Sequence, residues 1–378
     1  MNRVSGRYVR QPQGYKAFIP APLPPRPDVE IDAEMQRLLS DADRALGRLD
    51  GSIQTLPNPD LFVFMYVRKE AVLSSQIEGT QASLNDVLAA EAEIFDPAAP
   101  RDVDEVINYV GALNYGLGRL EKLPLSLRLI REIHEKLMHG VRGGDRTPGE
   151  FRRSQNWVGP AGCTLGQATY VPPPPGELME VLGQLETYLR SEDNVPPLIK
   201  IGLAHAQFET IHPFLDGNGR VGRLLMTFQL CERGALQKPV LYLSHYLKEH
   251  RTQYYRLLQA TRDEGDHESW LKFFLRGIAR VSEEATVTAR KIVALREAHK
   301  RLLAETFGRA AGNGIKLVDH MFENPVFSVQ DVADYLKVTY AAANQLITRM
   351  EQRRLVKEVT GGKRTRRFRY DTYTRLFR

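Results

Sequence analysis

Residues 212–223 read His-Pro-Phe-Leu-Asp-Gly-Asn-Gly-Arg-Val-Gly-Arg, and apolar residues at helical spacing flank them on both sides. Leu198, Ile201, Ala204, Phe208 and Ile211 predict a helix running into the segment. A second helix opens after Gly219 and ends at Gly234, a C-cap residue. Two apolar helices joined by a short polar loop constrain the chain to a helical body with its chemistry at the joint. Glycines in Gly217-Asn218-Gly219 let backbone approach an oxyanion closely. The helix start adds N–H groups and the positive end of a dipole, and Asn218 adds a donor. Arg220 and Arg223 fall in the first turn, where guanidinium forks can grip phosphate oxygens. The dipole alone disfavours cations there, so two arginines imply an anion. Asp216 is a hard oxygen ligand suited to Mg²⁺ bridging phosphates. His212 can take a proton from a hydroxyl near neutral pH. Phe214 anchors the loop to the core. A lone histidine here would read as a satisfied core residue, but the conjunction points to phosphoryl-type chemistry on a nucleotide.

The rest of the chain bounds this reading. At 378 residues, two or three domains are expected. Apolar content of 42% and charged content of 26% suit a soluble globular protein. Two cysteines, Cys163 and Cys231, without paired spacing, exclude a disulfide scaffold or thiolate metal site and fit a reducing, cytoplasmic location. No signal peptide follows Met1, and no stretch reaches the length of a membrane span.

Residues 1–30 are rich in Pro and Arg and predict an irregular arm. Helical patterns follow at about 35–49, 60–78, 84 to near Pro97, 102–120 and 125–140, with breaks at Pro57 and Pro59. Gly79 is a C-cap candidate, and Ser83 with Asp86 an N-cap signal. Residues 154–175, with four glycines or prolines ahead of Thr169-Tyr170-Val171, predict a hairpin-like flap on the helical body. Further helices are expected at about 178–190, 198–211, 219–233, 244–262 and 267–305, the last a connector.

The loop resembles the Fic-family signature His-x-Phe-x-(Asp/Glu)-Gly-Asn-Gly-Arg-x-x-Arg without departure. The resemblance extends over roughly residues 60–280 and implies a mainly α Fic fold with a β-hairpin flap. It implies transfer of AMP from ATP to a Ser, Thr or Tyr hydroxyl of a target protein, with release of pyrophosphate. By that resemblance His212 is the base and Asp216 holds Mg²⁺ on the α- and β-phosphates. Gly217, Asn218 and Gly219 form the anion hole. Arg220 supports the loop and Arg223 grips the γ-phosphate, with Val221 and Gly222 between them in the ATP-binding segment. The flap at about 157–171 would align the target by β-augmentation. The related Doc-type kinases carry Lys where Gly219 stands, so Gly219 favours AMP transfer. Tyr254-Tyr255 could stack on adenine, with Tyr254 the residue taken for the ATP site; core packing is the other reading. Self-modification and a homodimer are family-level expectations.

Ser74-Ser75-Gln76-Ile77-Glu78-Gly79 resembles the Fic inhibitory sequence (Ser/Thr)-x-x-x-Glu-(Gly/Asn), and Ser74 and Glu78 are its regulatory positions. Arg223 can pair bidentately with a carboxylate or a γ-phosphate, not both. His134-Glu135-Lys136-Leu137-Met138-His139 is no zinc-protease motif, because histidines five apart do not share a helix face.

The net charge of +6 is concentrated at one end: residues 353–378 hold ten Arg or Lys against Glu358 and Asp371. Helical patterns at 315–323, 328–336 and 339–353 precede Leu355 to Val359, a Gly361-Gly362 turn and Arg367-Phe368-Arg369-Tyr370. This is the outline of a winged helix, with Thr339, Tyr340, Asn344, Gln345 and Arg349 on polar positions suited to a major groove and a basic wing from Lys363 to Arg369. The expected organisation is an N-terminal arm and helical region over 1–100, a Fic core over 101–280, a connector over 281–312 and a winged helix (α+β) over 313–378. Three functions compete: an AMP transferase restrained by Glu78, a DNA-binding regulator whose Fic domain senses a nucleotide, and removal of AMP at the same site. The intact His212 favours the enzyme, since a sensor needs no base.

Overall fold

The structure is a computed structural model that describes residues 5–54, 59–94, 100–160, 162–360 and 366–377. It is mainly helical, as expected. The predicted irregular arm is instead an antiparallel pair, β1 (Gly6–Arg10) and β2 (Lys16–Pro20), with Tyr8 opposite Phe18. Its β-prone pairs Tyr8-Val9 and Phe18-Ile19 flank a turn at Gly14, where φ is +92°. The prolines that dominated the sequence reading lie mostly after the second strand. The pair docks on the helical body through Phe18 N–H to Val171 O at 2.9 Å and Gln207 Nε2 to Ala21 O at 2.9 Å.

The body is built from α1 (Ala33–Gln54), α2 (Asp60–Ile77), α3 (Leu84–Glu91), α4 (Val103–Leu120), α5 (Leu127–Met138), α6 (Pro175–Arg190), α7 (Pro197–Ile211), α8 (Asn218–Glu232), α9 (Ser244–Glu249), α10 (Arg251–Asp263) and α11 (His267–Thr306). Ser83 caps α3 with Asp86 in a reciprocal capping box. That helix stops at Glu91, earlier than expected, and Pro97, like Pro57, lies outside the described residues. The helix expected over 244–262 divides at His250 into α9 and α10. The long α11 is unbroken. It is also more than a connector: Val281, Ala285, Ala289 and Ile292 are buried against the body.

α7 explains the placing of the site. Every residue from Leu198 to Ile211 is buried, so the helix threads the core and has no solvent face. Several of its polar residues are satisfied internally. Lys200 Nζ reaches Ser191 Oγ at 2.7 Å and Asp193 at 2.9 Å. His205 sits between Gly222 O (3.1 Å) and the Tyr254 hydroxyl (2.8 Å). α8 packs against α7, and Gly222 permits it: a Cβ there would collide with the Glu209 carboxylate.

The C-terminal part consists of α12 (Ala311–Glu323), β3 (Val326–Ser328), α13 (Val329–Leu336), α14 (Tyr340–Gln352), β4 (Lys357–Glu358), β5 (Arg367–Arg369) and α15 (Asp371–Thr374). The sheet order is β3-β5-β4, antiparallel throughout. Strand β3, between the first two helices, and the short α15 were not foreseen. The Gly361-Gly362 turn and the basic residues Lys363 and Arg364 lie outside the described residues. Buried side chains run without interruption from the helical body into this part.

Candidate active site

The loop between α7 and α8 begins with a strained residue. His212 ends α7 in the left-handed conformation (φ +50°), which a side chain other than glycine adopts at a cost of order 1–3 kcal/mol. The surroundings fix it there. Its carbonyl accepts from Arg152 Nε (3.0 Å) and Asn156 Nδ2 (3.0 Å), while its N–H returns to Phe208 O (2.9 Å). The imidazole is half-buried, with Nδ1 3.3 Å from Glu209 O. Only a protonated Nδ1 can donate to that carbonyl, which leaves the Nε2 lone pair available. Burial, and then the Arg262 cation, pull its pKa down to about 4, so the ring is neutral at physiological pH.

Asn218 plays a different part from the one expected. Its amide makes a reciprocal pair with the backbone of Phe214, Oδ1 accepting from N–H (2.8 Å) and Nδ2 donating to C=O (2.8 Å). Both ends of the side chain are spent closing the loop. That leaves the backbone N–H groups at the start of α8, which have no helical acceptor, as the groups that could meet an anion. Gly217 precedes them with φ +77° and packs against His134 and Met138. His134 stacks on Phe214 at 3.7 Å and donates from Nε2 to Asp216 O (3.1 Å), its Nδ1 accepting from Gly149 N–H (2.9 Å). Burial holds it neutral, with a pKa near 4. His139 lies at the exposed end of α5, so the two histidines of that segment do not converge.

Asp216 is the exposed carboxylate of the loop, its side chain 35% accessible. Oδ1 accepts from Gly217 N–H at 2.6 Å, and Arg220 lies 3.8 Å away. Among the described residues no three His, Cys, Asp or Glu side chains cluster as a metal cage. One carboxylate fits an ion whose remaining ligands come from phosphates and water, as Mg²⁺ is commonly held.

The two arginines diverge. Arg220 is buried and donates from Nη1 to Glu105 Oε2 of α4 at 2.9 Å, which ties α8 to α4 while Nη2 stays 3.8 Å from Asp216 of the loop. Arg223 is equally buried but faces α2. Nε donates to Ser74 Oγ (2.8 Å), and Nη2 to Ser74 O (3.0 Å) and Glu78 Oε1 (2.7 Å). Burial alone would raise the Glu78 pKa, but Arg223, and behind it Arg220, overcome this and hold the carboxyl below its ordinary value. Glu78 stands just past α2, with Gly79 following at φ +98°. Its carboxylate rests on Gly219, where a Cβ would collide with Oε1. The two sequence motifs, 145 residues apart, thus meet in one ion pair.

Three expected ATP-site residues occupy other roles. Val221 lies in the core, its N–H bonded to Gly217 O at 3.0 Å, and Gly222 serves helix packing. Tyr254 is fully buried (0% exposed) between His205 and Trp270 and has no ring face to offer a base. Its neighbour Tyr255 is 38% exposed and close enough to Glu78 and Arg223 to feel their charges. The flap is simpler than a hairpin: one bridge, Val158 to Tyr170, closes it, and Leu165–Gln167 form a single helical turn.

Sequence reasoning missed Arg152, Asn156, Glu105 and Glu209. Arg152 is buried and joins four carbonyls, those of Ile211, His212, Pro173 and Ser154. Glu209 is buried within α7, one oxygen without a hydrogen-bond partner, and burial pushes its pKa up to about 7. Only the presence of a carboxylate, Glu209, in a helix rich in apolar residues could have flagged it.

A glycine-bearing loop, set between two core helices and carrying a neutral half-buried histidine, defines the class as a Fic-type helical protein. Residues 36–118 match the Fic/DOC family N-terminal region and residues 124–230 the Fic/DOC family, and the chain belongs to that family. It is 32% identical over 197 residues to a protein adenylyltransferase Fic of Drosophila grimshawi, across 51% of this chain and 36% of that protein. The same-named protein of Drosophila erecta is 30% identical over 197 residues, across 51% and 35%. The chain spans about a third of the length of these curated relatives. Its fold is similar to that of a Fic family protein from Desulfovibrio desulfuricans (TM-score 0.61, 20% identity, 91% of this chain and 98% of that chain). A Fic domain containing signaling protein from Bacteroides thetaiotaomicron is also similar (TM-score 0.55, 19% identity, 66% and 95%).

Proposed function

We propose that this protein transfers AMP from ATP to a hydroxyl of a protein and is restrained by Glu78. The observation that carries the reading is the state of His212: neutral, Nδ1 committed to Glu209 O, and Nε2 available beside the start of α8. In the step proposed, the target hydroxyl oxygen forms a bond to the α-phosphorus, and the bond from that phosphorus to the bridging oxygen breaks. His212 Nε2 takes the hydroxyl proton, and pyrophosphate leaves with the bond's electron pair. The N–H groups of Asn218 and Gly219 stabilise charge on the phosphate oxygens. Mg²⁺, held by Asp216, would neutralise phosphate charge when bound. The names of the relatives support the reaction class, and Gly219 supports nucleotide transfer over the Doc-type alternative.

Restraint follows from the geometry at Arg223. Three of its five N–H groups are committed to Ser74 and Glu78, and the Glu78 carboxylate takes the place beside it that a γ-phosphate would need, so the two anions compete for one guanidinium. A charge-assisted hydrogen bond of about 1.5–3 kcal/mol sets the scale of that competition.

The C-terminal part is proposed as a winged helix, on the order of its helices and strands. Its candidacy for DNA rests on the exposed side of α14, including Tyr340, Gln345 and Thr348. Much of the basic charge has other work: Arg367 pairs with Asp331, and Arg369 and Arg375 with Asp371.

The test is intact mass after incubation with ATP and Mg²⁺ for the wild type, Glu78→Gly and His212→Ala. The expected result is adenylyl mass on Glu78→Gly, less on the wild type and none on His212→Ala. If a lysate supplied as target also stays unmodified by Glu78→Gly, the transferase reading fails in favour of a nucleotide-sensing regulator.

A further inference from the structure

The C-terminal part is fastened to both helices that bracket Glu78. The ring of Phe377 stands edge-on to Tyr66 of α2, with centroids 5.1 Å apart and planes at 88°. Phe377 meets Tyr373 edge-on at 5.6 Å, and Tyr373 meets Phe322 of α12 at 4.7 Å. These rings are all buried. The Tyr66 hydroxyl donates to Ala285 O of α11 at 2.8 Å, so the tyrosine cannot swing aside without losing that bond. Beyond Glu78, on α3, Asn85 accepts from Arg369 of β5 at 3.4 Å. The C-terminal part therefore touches α2 about three turns before Glu78 and α3 shortly after it.

The Glu78 side chain is held by Arg223, whose guanidinium also bonds Ser74 one turn earlier. Glu78 lies just beyond the last residue of α2, and its side chain is 31% exposed. The helix from Tyr66 to its end near Glu78 is about 18 Å of continuous α-helix, and a packed helix shifts as a unit. A change in how Tyr66 seats alters the axial position and rotation of α2, and with them the reach of Glu78 to Arg223.

We propose that Phe377 and Tyr66 are positioning residues for the Glu78–Arg223 pair: the C-terminal aromatic cluster sets how firmly the nucleotide site is closed. The proposal rests on the reading of Glu78 as the competitor of the γ-phosphate. Its distinguishing mark is that loosening the cluster changes nucleotide affinity only while Glu78 is present. A role confined to general stability gives no such dependence.

The experiment is equilibrium binding of ATP with Mg²⁺, by calorimetry, on the full chain. It compares the wild type, Glu78→Gly, Phe377→Ala, Tyr66→Phe and the two double variants with Glu78→Gly, each checked for folding by circular dichroism. Phe377→Ala is expected to tighten ATP binding about threefold to tenfold (about 0.6–1.4 kcal/mol), and Phe377→Leu to restore most of the wild-type value. In the Glu78→Gly background neither substitution changes affinity further. Tyr66→Phe removes one hydroxyl and leaves no cavity, so it carries the test if Phe377→Ala fails to fold; the same direction with a smaller effect is expected. A folded Tyr66→Phe with unchanged affinity, together with an unchanged or unfolded Phe377→Ala, overturns the proposal. Equal tightening with and without Glu78 also overturns it. If Glu78→Gly itself leaves affinity unchanged, the restraint reading falls and this inference with it. If Glu78→Gly tightens binding and the cluster variants do not, only this inference falls.

Discussion

Gly219 and Glu78 fit each other as bare backbone and overlying carboxylate: Oε1 occupies the space that a Cβ at position 219 would need, while Arg223 donates to that oxygen at 2.7 Å. The absence of a side chain at one position is thus the condition for the ion pair at another.

Gly219→Ala should push Glu78 off Arg223. The backbone at 219 is not in the left-handed region, so the cost is steric, of the order of 1–3 kcal/mol as for other overpacked sites. Chemical denaturation should register that loss in the wild-type background and a smaller one in Glu78→Gly, where the collision with Oε1 is gone and the contact with Arg223 Nη1 at 3.0 Å remains. Equal losses in the two backgrounds would break the assignment.

The Arg220–Glu105 pair is buried on both sides, with Arg142 3.4 Å from the second Glu105 oxygen. Removing one partner strands a charge. Glu105→Ala or Arg220→Ala should cost about 3–5 kcal/mol in urea unfolding, whereas Glu105→Leu with Arg220→Met should cost much less.

Activity should be nearly independent of His212 ionisation across physiological pH. Its pKa is held near 4, below the ordinary histidine value, so the neutral base is fully formed well before pH 6. A profile of kcat/KM for Glu78→Gly is expected to fall on the acid side only as pH drops toward that value. A limb centred near 6.5 would place the imidazole in a wetter setting than the structure gives it.

Glu209 supplies a pH dependence of opposite sense to a salt-bridged acid. Its folded pKa, about 7, lies above the unfolded value near 4.3. The folded state therefore holds the proton more tightly, and the associated stability is present below pH 4 and lost as pH rises through 7. Glu209→Gln should match the wild type in urea unfolding near pH 4.5 and exceed it at pH 8 by roughly 2–4 kcal/mol.

The loop was legible because its chemistry is consecutive in sequence: His212, Asp216, Gly217 and Gly219 act through backbone and positions that a turn of chain brings together. Arg223 and Glu78 were legible as partners through a second short motif and one rule about what a guanidinium can hold. What the residue types could not reveal was direction. Arg220 and Arg223 sit three apart on one helix, yet one faces α4 and the other α2, a difference decided by where Glu105 and Glu78 lie. Tyr254 and Tyr255 are likewise split by a single residue of helix phase into core and surface. Arg152 gave no signal, as three of its four carbonyl partners belong to segments brought close only by the fold. The first strands were obscured by neighbouring prolines, although Tyr8-Val9 and Phe18-Ile19 around Gly14 carried a hairpin pattern.

Arg152 gives the flap and the histidine a common anchor. One guanidinium gathers the carbonyls of Ile211 and His212 from the loop and those of Ser154 and Pro173 from the two feet of the flap. On the proposed transferase reading, a target strand laid along the flap would take its register to the histidine from that one guanidinium. Specificity would then vary along the outward edge of the flap, because a change at its feet would also disturb the backbone that holds the imidazole.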